Sequence, residues 1–249
     1  MEKVNFTNSR GLELVGNYWE SDSDAAIVMS HGFTGDKHEG GYFDTVAEAL
    51  NERGYNVLTF DFSGRGESQD DAITIEKEVD DLDSALQYLE ENKNIDRIGL
   101  YGYSLGGLVS LRNDRPEIEA IVLTSPVTAE IEALKLQSFE KGDTFTYQNG
   151  VYIKHKEDEV RKELPIDEKI SEEANKIDQD QLLSDIETPV LIIHGDQDSV
   201  VPLGDSRNAV EKLEHGKLEV IEGLDHSYDT HYDQIIQNAE NWFNRYMEP

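Results

Sequence analysis

Short apolar runs rich in β-branched residues alternate along most of the chain with longer stretches in which apolar residues recur every three or four positions. The first pattern predicts buried strands and the second predicts helices. Their alternation is typical of an α/β protein with a mostly parallel, doubly wound sheet. Strands are predicted at residues 4–7, 13–18, 25–30, 56–61, 97–103, 119–125, 189–194 and 217–221. Helices are predicted at residues 42–52, from 75 to beyond 89, at 206–213, at 231–246, and in a short segment that begins at Ser104.

Residues 127–187 interrupt this alternation between the sixth and seventh predicted strands. They are rich in charge and contain a predicted hairpin, 144–147 with 151–154, that turns at Asn149-Gly150. The sequence therefore predicts one core, residues 1–126 and 188–249, with residues 127–187 inserted into it as a lid or cap. Surface helices unrelated to substrate are the alternative interpretation of this insertion.

The length and the residue types set limits on the class of protein. The chain has 249 residues, enough for one domain with a substantial core, and it has no cysteine. A cysteine nucleophile and a thiolate metal site are therefore excluded. The N-terminal residues contain no apolar stretch of signal-peptide length, and the chain contains no apolar run of transmembrane length. These features predict a cytoplasmic protein with no membrane partner.

The charge of the chain is strongly acidic. Asp and Glu number 53 against 22 Lys and Arg, a formal net charge of −31. Such a surface repels nucleic acid and anionic lipid, so neither is an expected partner. Self-repulsion of this size also opposes the compact state at low salt. The composition suits either a halophilic protein adapted to a high-salt cytoplasm or an ordinary protein kept soluble by its charge.

Residues 102–106, Gly-Tyr-Ser-Leu-Gly, have the form G-x-S-x-G and lie between a predicted strand and a predicted helix. A sharp strand-to-helix turn lifts the serine hydroxyl clear of the backbone and requires small residues at Gly102 and Gly106. The helix N-terminus behind Ser104 favours developing negative charge. Chance supplies the bare pattern in about one such chain in ten, so the strand and helix around it carry the prediction that Ser104 is a nucleophile.

A serine hydroxyl needs a base to take its proton, and seven histidines are candidates. His226 follows the last predicted strand and precedes the last predicted helix, which suits the base. His31 and His194 each end a strand just before a glycine, which favours structural roles. The other four lie in polar segments: His38, His155, His215 and His231. The sequence therefore predicts His226 as the general base.

The imidazole in turn needs a carboxylate that holds its tautomer and stabilises the imidazolium. Residues 195–202 follow the seventh predicted strand and offer two, Asp196 and Asp198. Asp198 lies further from the strand end, on the crest of the loop, and is the preferred acid. The resulting chain order, serine then aspartate then histidine, is that of α/β-hydrolases and differs from the chymotrypsin and subtilisin orders.

The oxyanion of a tetrahedral intermediate needs preorganised donors, each worth roughly 3 kcal/mol. The N–H of Leu105, directly after the nucleophile, is one candidate. The second is expected from the loop after an early strand, and residues 31–35, His-Gly-Phe-Thr-Gly, follow the third predicted strand. The N–H of Phe33 is the candidate there. A tight structural turn is the other interpretation of this segment, and the two interpretations are compatible.

With these motifs the chain resembles the serine-hydrolase branch of the α/β-hydrolase superfamily along nearly its whole length. It is most similar to the serine aminopeptidase-like and cinnamoyl (feruloyl) esterase-like members. Residues 31–37 resemble the oxyanion loop of these members, and residues 61–68 resemble a turn that is structural in the family. Their nucleophile, acid and histidine loops are resembled by residues 102–107, 195–202 and 223–226, respectively. The resemblance implies the α/β-hydrolase fold and a triad of Ser104, Asp198 and His226. One departure is a shorter helix after the serine, which ends before Arg115-Pro116 and leaves the triad intact.

The predicted hairpin is similar to the inserted lid of cinnamoyl esterases, which closes over a phenolic acyl group. That likeness implies that Tyr147 and Tyr152 stack on such a ring, and that Asp143 or Gln148 meets its hydroxyl. Packing of the two tyrosines within the hairpin itself is an equally good interpretation.

The motifs together predict a serine carboxylesterase that acts through an acyl-enzyme on small to medium acyl esters, hydroxycinnamoyl esters among them. No cofactor and no metal are expected. A thioesterase, a monoacylglycerol lipase or an aminopeptidase with the same three residues would have the same pattern. Ser104 argues against dehalogenases and epoxide hydrolases of this fold, which carry an aspartate there. A non-catalytic binding protein is the alternative from another class. The expected partner is a small-molecule ester, and a homodimer is left open.

The two interpretations of the acidic charge differ in their response to KCl. If self-repulsion limits stability, the melting temperature rises between low salt and about 1 M KCl, where the Debye length falls to about 3 Å. Thermal unfolding at constant pH measures this rise. An unchanged melting temperature would leave the charge as a solubility feature alone.

Overall fold

The computed structural model describes residues 1–129, 145–155 and 161–249. The strands in this part of the chain are β1 (Glu2–Thr7), β2 (Glu13–Trp19), β3 (Ala25–Ser30), β4 (Asn56–Phe60), β5 (Arg97–Tyr103), β6 (Ile118–Thr124), β7 (Phe145–Gln148), β8 (Val151–His155), β9 (Glu163–Asp167), β10 (Val190–Gly195) and β11 (Gly216–Ile221). The helices are α1 (Tyr42–Glu52), α2 (Ile75–Lys93), α3 (Leu105–Leu111), α4 (Lys169–Lys176), α5 (Gln179–Asp185), α6 (Leu203–Val210) and α7 (Tyr232–Tyr246).

Eight of the strands form one sheet in the order β1-β2-β4-β3-β5-β6-β10-β11. Only β2 runs against its neighbours, and the pairs from β4 through β11 are parallel. The predicted insertion, residues 127–187, lies in chain order between β6 and β10, the sixth and seventh strands of this sheet. The predicted α/β-hydrolase fold, with a mostly parallel, doubly wound sheet, is confirmed.

The central strands are buried on both faces, and alternate residues serve different cores. In β3 the side chains of Ala26 and Val28 join the cluster that α2 and α3 cover, whereas Ile27 and Met29 join the cluster that α1 and α7 cover. None of these four side chains is exposed to solvent. The continuous apolar run that predicted this strand therefore follows from the period-two geometry of a strand between two helical layers.

Helix α6 begins three residues earlier than the predicted segment 206–213 and ends three residues earlier. Pro202, whose φ is −63°, directly precedes its first turn. After the helix the N–H groups of Lys212 and Leu213 both bond to the carbonyl of Ala209 in a tight turn. Leu213 is buried in the core although it lies outside the helix. The spacing of apolar residues indicates which side chains are buried, but it does not show where the hydrogen bonds of a helix end. The prediction therefore included Leu213 in the helix.

In the inserted segment, β7, β8 and β9 form a small antiparallel sheet. Asn149 and Gly150 connect β7 and β8 at the predicted turn, with φ values of 53° and 84°, and a type I′ turn requires positive φ at both positions. Residue 144, the first of the predicted hairpin, lies outside the described residues. Strand β9 and helices α4 and α5 had no counterpart among the predicted elements, because charged, exposed faces leave only a weak periodic signal.

The small sheet is attached to the core through its backbone and through an apolar face. Ile73 N–H donates to Pro165 O at 2.8 Å, and Asp167 N–H donates to Ile73 O at 3.1 Å. One buried cluster combines side chains of the inserted segment with side chains of the core: Val127, Tyr152, Leu164, Ile166 and Ile170 with Ile73, Ile75, Leu105 and Leu108. Within the three described ranges, no helix has the length and apolar character needed to cross a membrane.

Candidate active site

Ser104 lies between β5 and α3 in a backbone conformation that serine rarely adopts, with φ of 53° and ψ of −115°. Its N–H donates to Thr124 O at 3.0 Å, and its carbonyl accepts from Gly107 N at 3.1 Å and Val127 N at 3.0 Å. A residue held at such angles costs on the order of 1–3 kcal/mol and persists only where its surroundings fix it. The three backbone bonds provide that fixation.

Two glycines allow the turn around Ser104 to pack tightly. A Cβ at Gly102 would lie 2.7 Å from Gly106 O, and a Cβ at Gly106 would lie 2.1 Å from Ser30 O. Neither separation is possible for a carbon atom. Helix α3 therefore approaches the carboxyl end of β3 as closely as it does only because these positions carry no side chain.

Ser104, His226 and Asp198 form one chain of hydrogen bonds, although they come from three separate loops. His226 Nε2 lies 3.2 Å from Ser104 Oγ, and His226 Nδ1 lies 2.8 Å from Asp198 Oδ2. Ser104 is 6% exposed, the His226 side chain is 17% exposed and the Asp198 side chain is fully buried. The hydroxyl of Tyr103 donates to the carbonyl of His226 and holds the histidine loop against β5. The structure thus brings together the three residues predicted as a triad.

The other predicted acid, Asp196, makes different contacts. Its Oδ1 accepts from Gly223 N at 2.8 Å and from the Gln197 side chain at 3.0 Å. It therefore supports the start of the histidine loop, and it is Asp198 that binds the imidazole of His226.

The Asp198 carboxylate is satisfied by donors on both oxygens. Oδ1 accepts from Val200 N at 2.8 Å and from Val201 N at 2.9 Å. Besides the bond from His226, Oδ2 accepts from Ser125 Oγ at 2.6 Å. Buried charge is stable in a protein when hydrogen bonds replace its lost hydration, as they do here.

His194 makes a further contact with this carboxylate. Its Nδ1 lies 2.7 Å from Ser206 Oγ, and its Nε2 lies 3.0 Å from Val201 O and 3.3 Å from Asp198 Oδ2. Burial by itself raises the pKa of the Asp198 carboxyl, but the hydrogen bonds from His194, His226 and Ser125 outweigh it. The pKa of Asp198 therefore lies well below its usual range. The carboxylate stays ionised opposite the imidazole at any ordinary pH.

His31 fixes one peptide unit of the predicted oxyanion loop, residues 31–37. Its Nε2 accepts from Phe62 N at 3.2 Å, so its Nδ1 carries the proton and donates to Gly32 O at 3.0 Å. In a trans peptide the following N–H points away from the carbonyl. Binding of Gly32 O therefore also sets the direction of the Phe33 N–H. The loop lies against the nucleophile, since a Cβ at Gly32 would come within 3.3 Å of Ser104 Cβ.

A buried ion pair holds the far end of this loop. Lys37 Nζ lies 2.7 Å from Asp61 Oδ2 and 2.8 Å from Glu67 Oε2, and Lys37 N–H also donates to Asp61 Oδ1 at 2.7 Å. Burial lowers the pKa of Lys37, yet the two carboxylates outweigh burial and its pKa is raised. Hydrogen bonds from Lys3 and Lys37 lower the pKa of Glu67 to about 2. The loop is thereby tied to the turn after β4.

The structure describes three of the four predicted substrate-binding residues, and their surroundings differ. Tyr147 is 56% exposed, and its hydroxyl donates to Glu168 Oε2 at 2.7 Å. Its ring lies 4.7 Å from that of Tyr152 across the hairpin, the within-hairpin packing that the sequence left open. Gln148 is exposed, whereas Tyr152 is buried in the cluster that contains Leu105 and Leu108. Asp143 lies outside the described residues.

Ser125, Glu39 and Lys154 make contacts at the site although none of them was predicted to have a role there. Ser125 binds Asp198, Glu39 Oε1 accepts from Gly32 N at 2.6 Å, and Lys154 Nζ donates to Thr34 Oγ1 at 2.9 Å. Ser125 had a usable signal, because it directly follows β6 and the carboxyl ends of parallel strands share one edge of the sheet. The other two contacts had no such signal, because Lys154 is distant from Thr34 in sequence and Glu39 lies in a 3₁₀ turn that has no motif. Among the described residues, no group of three or more His, Asp or Glu side chains is arranged to hold a metal.

The fold, and a serine at the turn between β5 and α3, define the class of the protein as a serine hydrolase of the α/β-hydrolase fold. Residues 21–157, more than half of the chain, match the hydrolase family described as "Serine aminopeptidase, S33". The chain belongs to that family.

Known proteins resemble the chain over most of its length. A monoacylglycerol lipase of Mycolicibacterium smegmatis is 23% identical over 269 positions, which cover 95% of this chain and 95% of that protein. The structure of Est1E from Butyrivibrio proteoclasticus with ferulic acid bound is 23% identical, has a TM-score of 0.80, and aligns over 99% of this chain and 100% of that one. The Pyrococcus furiosus esterase Pf2001 is also 23% identical, with a TM-score of 0.76 over 99% and 92%. At this identity the two structures establish the shared fold.

Gly106→Ala tests the close approach of α3 to β3. The new Cβ would lie 2.1 Å from Ser30 O and 2.5 Å from His31 O, so the helix must move. We expect a loss of about 3 kcal/mol in the free energy of unfolding, measured by denaturant titration. Gly204→Ala is the matched control, because Gly204 lies within α6 and a Cβ there meets nothing within 4 Å. The control should gain about 0.5 kcal/mol. Equal effects at the two positions would contradict the steric argument.

Asp198→Asn tests the lowered pKa of the buried carboxyl. The folded protein binds this proton less tightly than the unfolded chain, so the ionised form stabilises the fold above the unfolded pKa of about 4. We expect the variant to be less stable than the wild type near neutral pH. The difference should stay constant down to about pH 5 and shrink as the pH falls below about 4. Thermal unfolding of both proteins across this range measures it, and a difference that grows on acidification would refute the assignment.

Proposed function

We propose that the protein is a serine carboxylesterase that hydrolyses small to medium acyl esters through an acyl-enzyme intermediate. The observation that carries the proposal is the hydrogen-bonded chain from Ser104 through His226 to the buried Asp198. A hydroxyl, a base and an orienting carboxylate in this order form the arrangement that activates serine as a nucleophile.

In the proposed reaction Ser104 Oγ attacks the ester carbonyl while His226 Nε2 takes its proton. Asp198 holds the imidazole with Nδ1 protonated and stabilises the imidazolium that forms. The N–H groups of Leu105 and Phe33 are the proposed donors to the oxyanion. His226 then returns the proton to the departing alcohol, and a water molecule activated by the same base releases the acid. The reaction uses no cofactor.

Similarity to known esterases supports an ester as substrate. Relatives named as an esterase and a monoacylglycerol lipase align with nearly the whole chain. Est1E was solved with ferulic acid, a hydroxycinnamic acid, which supports a test of hydroxycinnamoyl esters. Of the three predicted contacts to such an acyl group that lie in the described ranges, Tyr152 shares a buried cluster with Leu105, next to the nucleophile. Tyr147 and Gln148 face solvent and make weaker candidates.

Ser104→Ala and His226→Ala test the proposed nucleophile and base. Each substitution should lower kcat/KM on p-nitrophenyl acetate at least about 10³-fold, because the three residues act as a unit. Labelling by a fluorophosphonate probe should disappear in Ser104→Ala. Ser184→Ala, which removes an exposed serine from α5, is the matched control and should keep wild-type activity and labelling. An unlabelled wild-type protein would overturn catalysis in favour of a binding role, and full activity in His226→Ala would exclude it as the base.

A substrate panel distinguishes this proposal from its alternatives. It contains p-nitrophenyl esters of increasing acyl length, methyl hydroxycinnamates, a monoacylglycerol, an acyl thioester and an aminoacyl p-nitroanilide, at low and about 1 M KCl. The proposal predicts that short or medium acyl esters have the highest kcat/KM. A preference for the monoacylglycerol, the thioester or the anilide would reassign the protein to a lipase, a thioesterase or an aminopeptidase.

A further inference from the structure

One side chain of the small sheet β7–β9 is bonded directly to the oxyanion loop. Lys154, on β8, donates from Nζ to Thr34 Oγ1 at 2.9 Å. Thr34 directly follows Phe33, is 5% exposed and has a φ of 66°. A β-branched residue at positive φ is strained, so its backbone keeps this conformation only where contacts hold it. A charge-assisted bond from an ammonium group is a strong contact of that kind.

Side chains of the same sheet belong to a buried cluster that also involves both residues whose N–H groups are the proposed oxyanion donors. Leu105 belongs to the buried cluster that includes Tyr152 and Ile166, and Phe33 packs against this cluster. The apolar side chains of the sheet therefore support the loop of Phe33 and the first turn of α3 through one shared cluster.

The sheet is itself anchored to the core at points away from Lys154. β9 pairs with Ile73, as described above, and Arg161, just before β9, donates from Nε to Gly66 O at 3.0 Å. In addition, Glu173 of α4 accepts from Ile75 N at 2.8 Å at the start of α2. These bonds reach parts of the core that do not carry the oxyanion loop. The sheet can therefore act as a fixed reference for that loop.

We propose that Lys154 is a positioning residue of the reaction, through which the small sheet holds the oxyanion loop in its working conformation. The inference rests on the proposed function, because it assigns Phe33 N–H to the oxyanion. On this view β7–β9 form a fixed part of the catalytic framework. The effect falls on the transition state, since oxyanion charge develops only there.

Lys154→Met tests the proposal, because it keeps most of the aliphatic stem and removes the donor. We expect kcat on p-nitrophenyl acetate to fall about tenfold, with KM within about twofold of the wild type. The inhibition constant of a trifluoromethyl ketone, whose adduct carries an oxyanion, should rise by a similar factor. Lys176→Met is the control, because it makes the same charge change at an exposed side chain of α4 that is not bonded to the loop. It should leave kcat, KM and the inhibition constant unchanged.

Substitutions at Thr34 show whether Lys154 acts through that residue. Thr34→Val keeps the shape and removes the acceptor, so it should reproduce the loss of kcat, whereas Thr34→Ser should retain activity. In the double variant Lys154→Met with Thr34→Val the losses of kcat should not add, because each substitution removes the same bond between Lys154 and Thr34. Melting temperatures and the fraction of serine that a fluorophosphonate labels at completion confirm that each variant is folded.

Three results would overturn the proposal: a rise in KM with kcat unchanged, no change in either constant, or additive losses in the double variant. The first would make Lys154 a substrate-binding residue, and the others would remove its link to the oxyanion loop. Failure of the proposed function gives a different result, since the wild-type protein would then be unlabelled by the fluorophosphonate, or Ser104→Ala would hydrolyse the ester as fast as the wild type, whatever Lys154 does.

Discussion

Helix α3 approaches the carboxyl end of β3 so closely that a Cβ at Gly106 would lie 2.1 Å from Ser30 O. This approach places Ser104 beside the loop that follows β3, and the positive φ of Ser104 turns its side chain out of the strand direction. The candidate oxyanion donors lie on the two sides of that contact, one on α3 and one on the loop. The rest of the site is arranged around this close approach of α3 to β3, which is possible because Gly106 has no side chain.

Buried polar groups stabilise the loops around this contact. The Asp198 carboxylate is bonded by backbone N–H groups, by Ser125 and by two imidazoles, and Lys37 lies between Asp61 and Glu67. Each group is costly to bury alone, and each is compensated by partners from other segments. Loops that carry such networks have few alternative conformations. Preorganised donors and bases are what acyl transfer requires, because they need no reorganisation as charge develops.

The inserted segment contributes to this framework from outside the core. Its apolar side chains share a buried cluster with Leu105, and Lys154 donates a hydrogen bond to Thr34 of the oxyanion loop. Tyr147 is paired directly with Tyr152 across the hairpin, so the two side chains lie on the same face of the sheet. On that face Tyr152 is buried against the core, whereas Tyr147 is exposed to solvent.

The sequence by itself determined the elements that depend on local pattern. These are the parallel strands, the serine turn at 102–106, the Asn149-Gly150 hairpin and the order of Ser104, Asp198 and His226. For the acid it offered Asp196 and Asp198 and favoured Asp198, and the structure places Asp198 at the imidazole. The contacts of Ser125 and Lys154 appeared only in the tertiary structure. Periodicity and turn chemistry act within a few residues, whereas a hydrogen bond between distant segments depends on how the whole sheet is assembled.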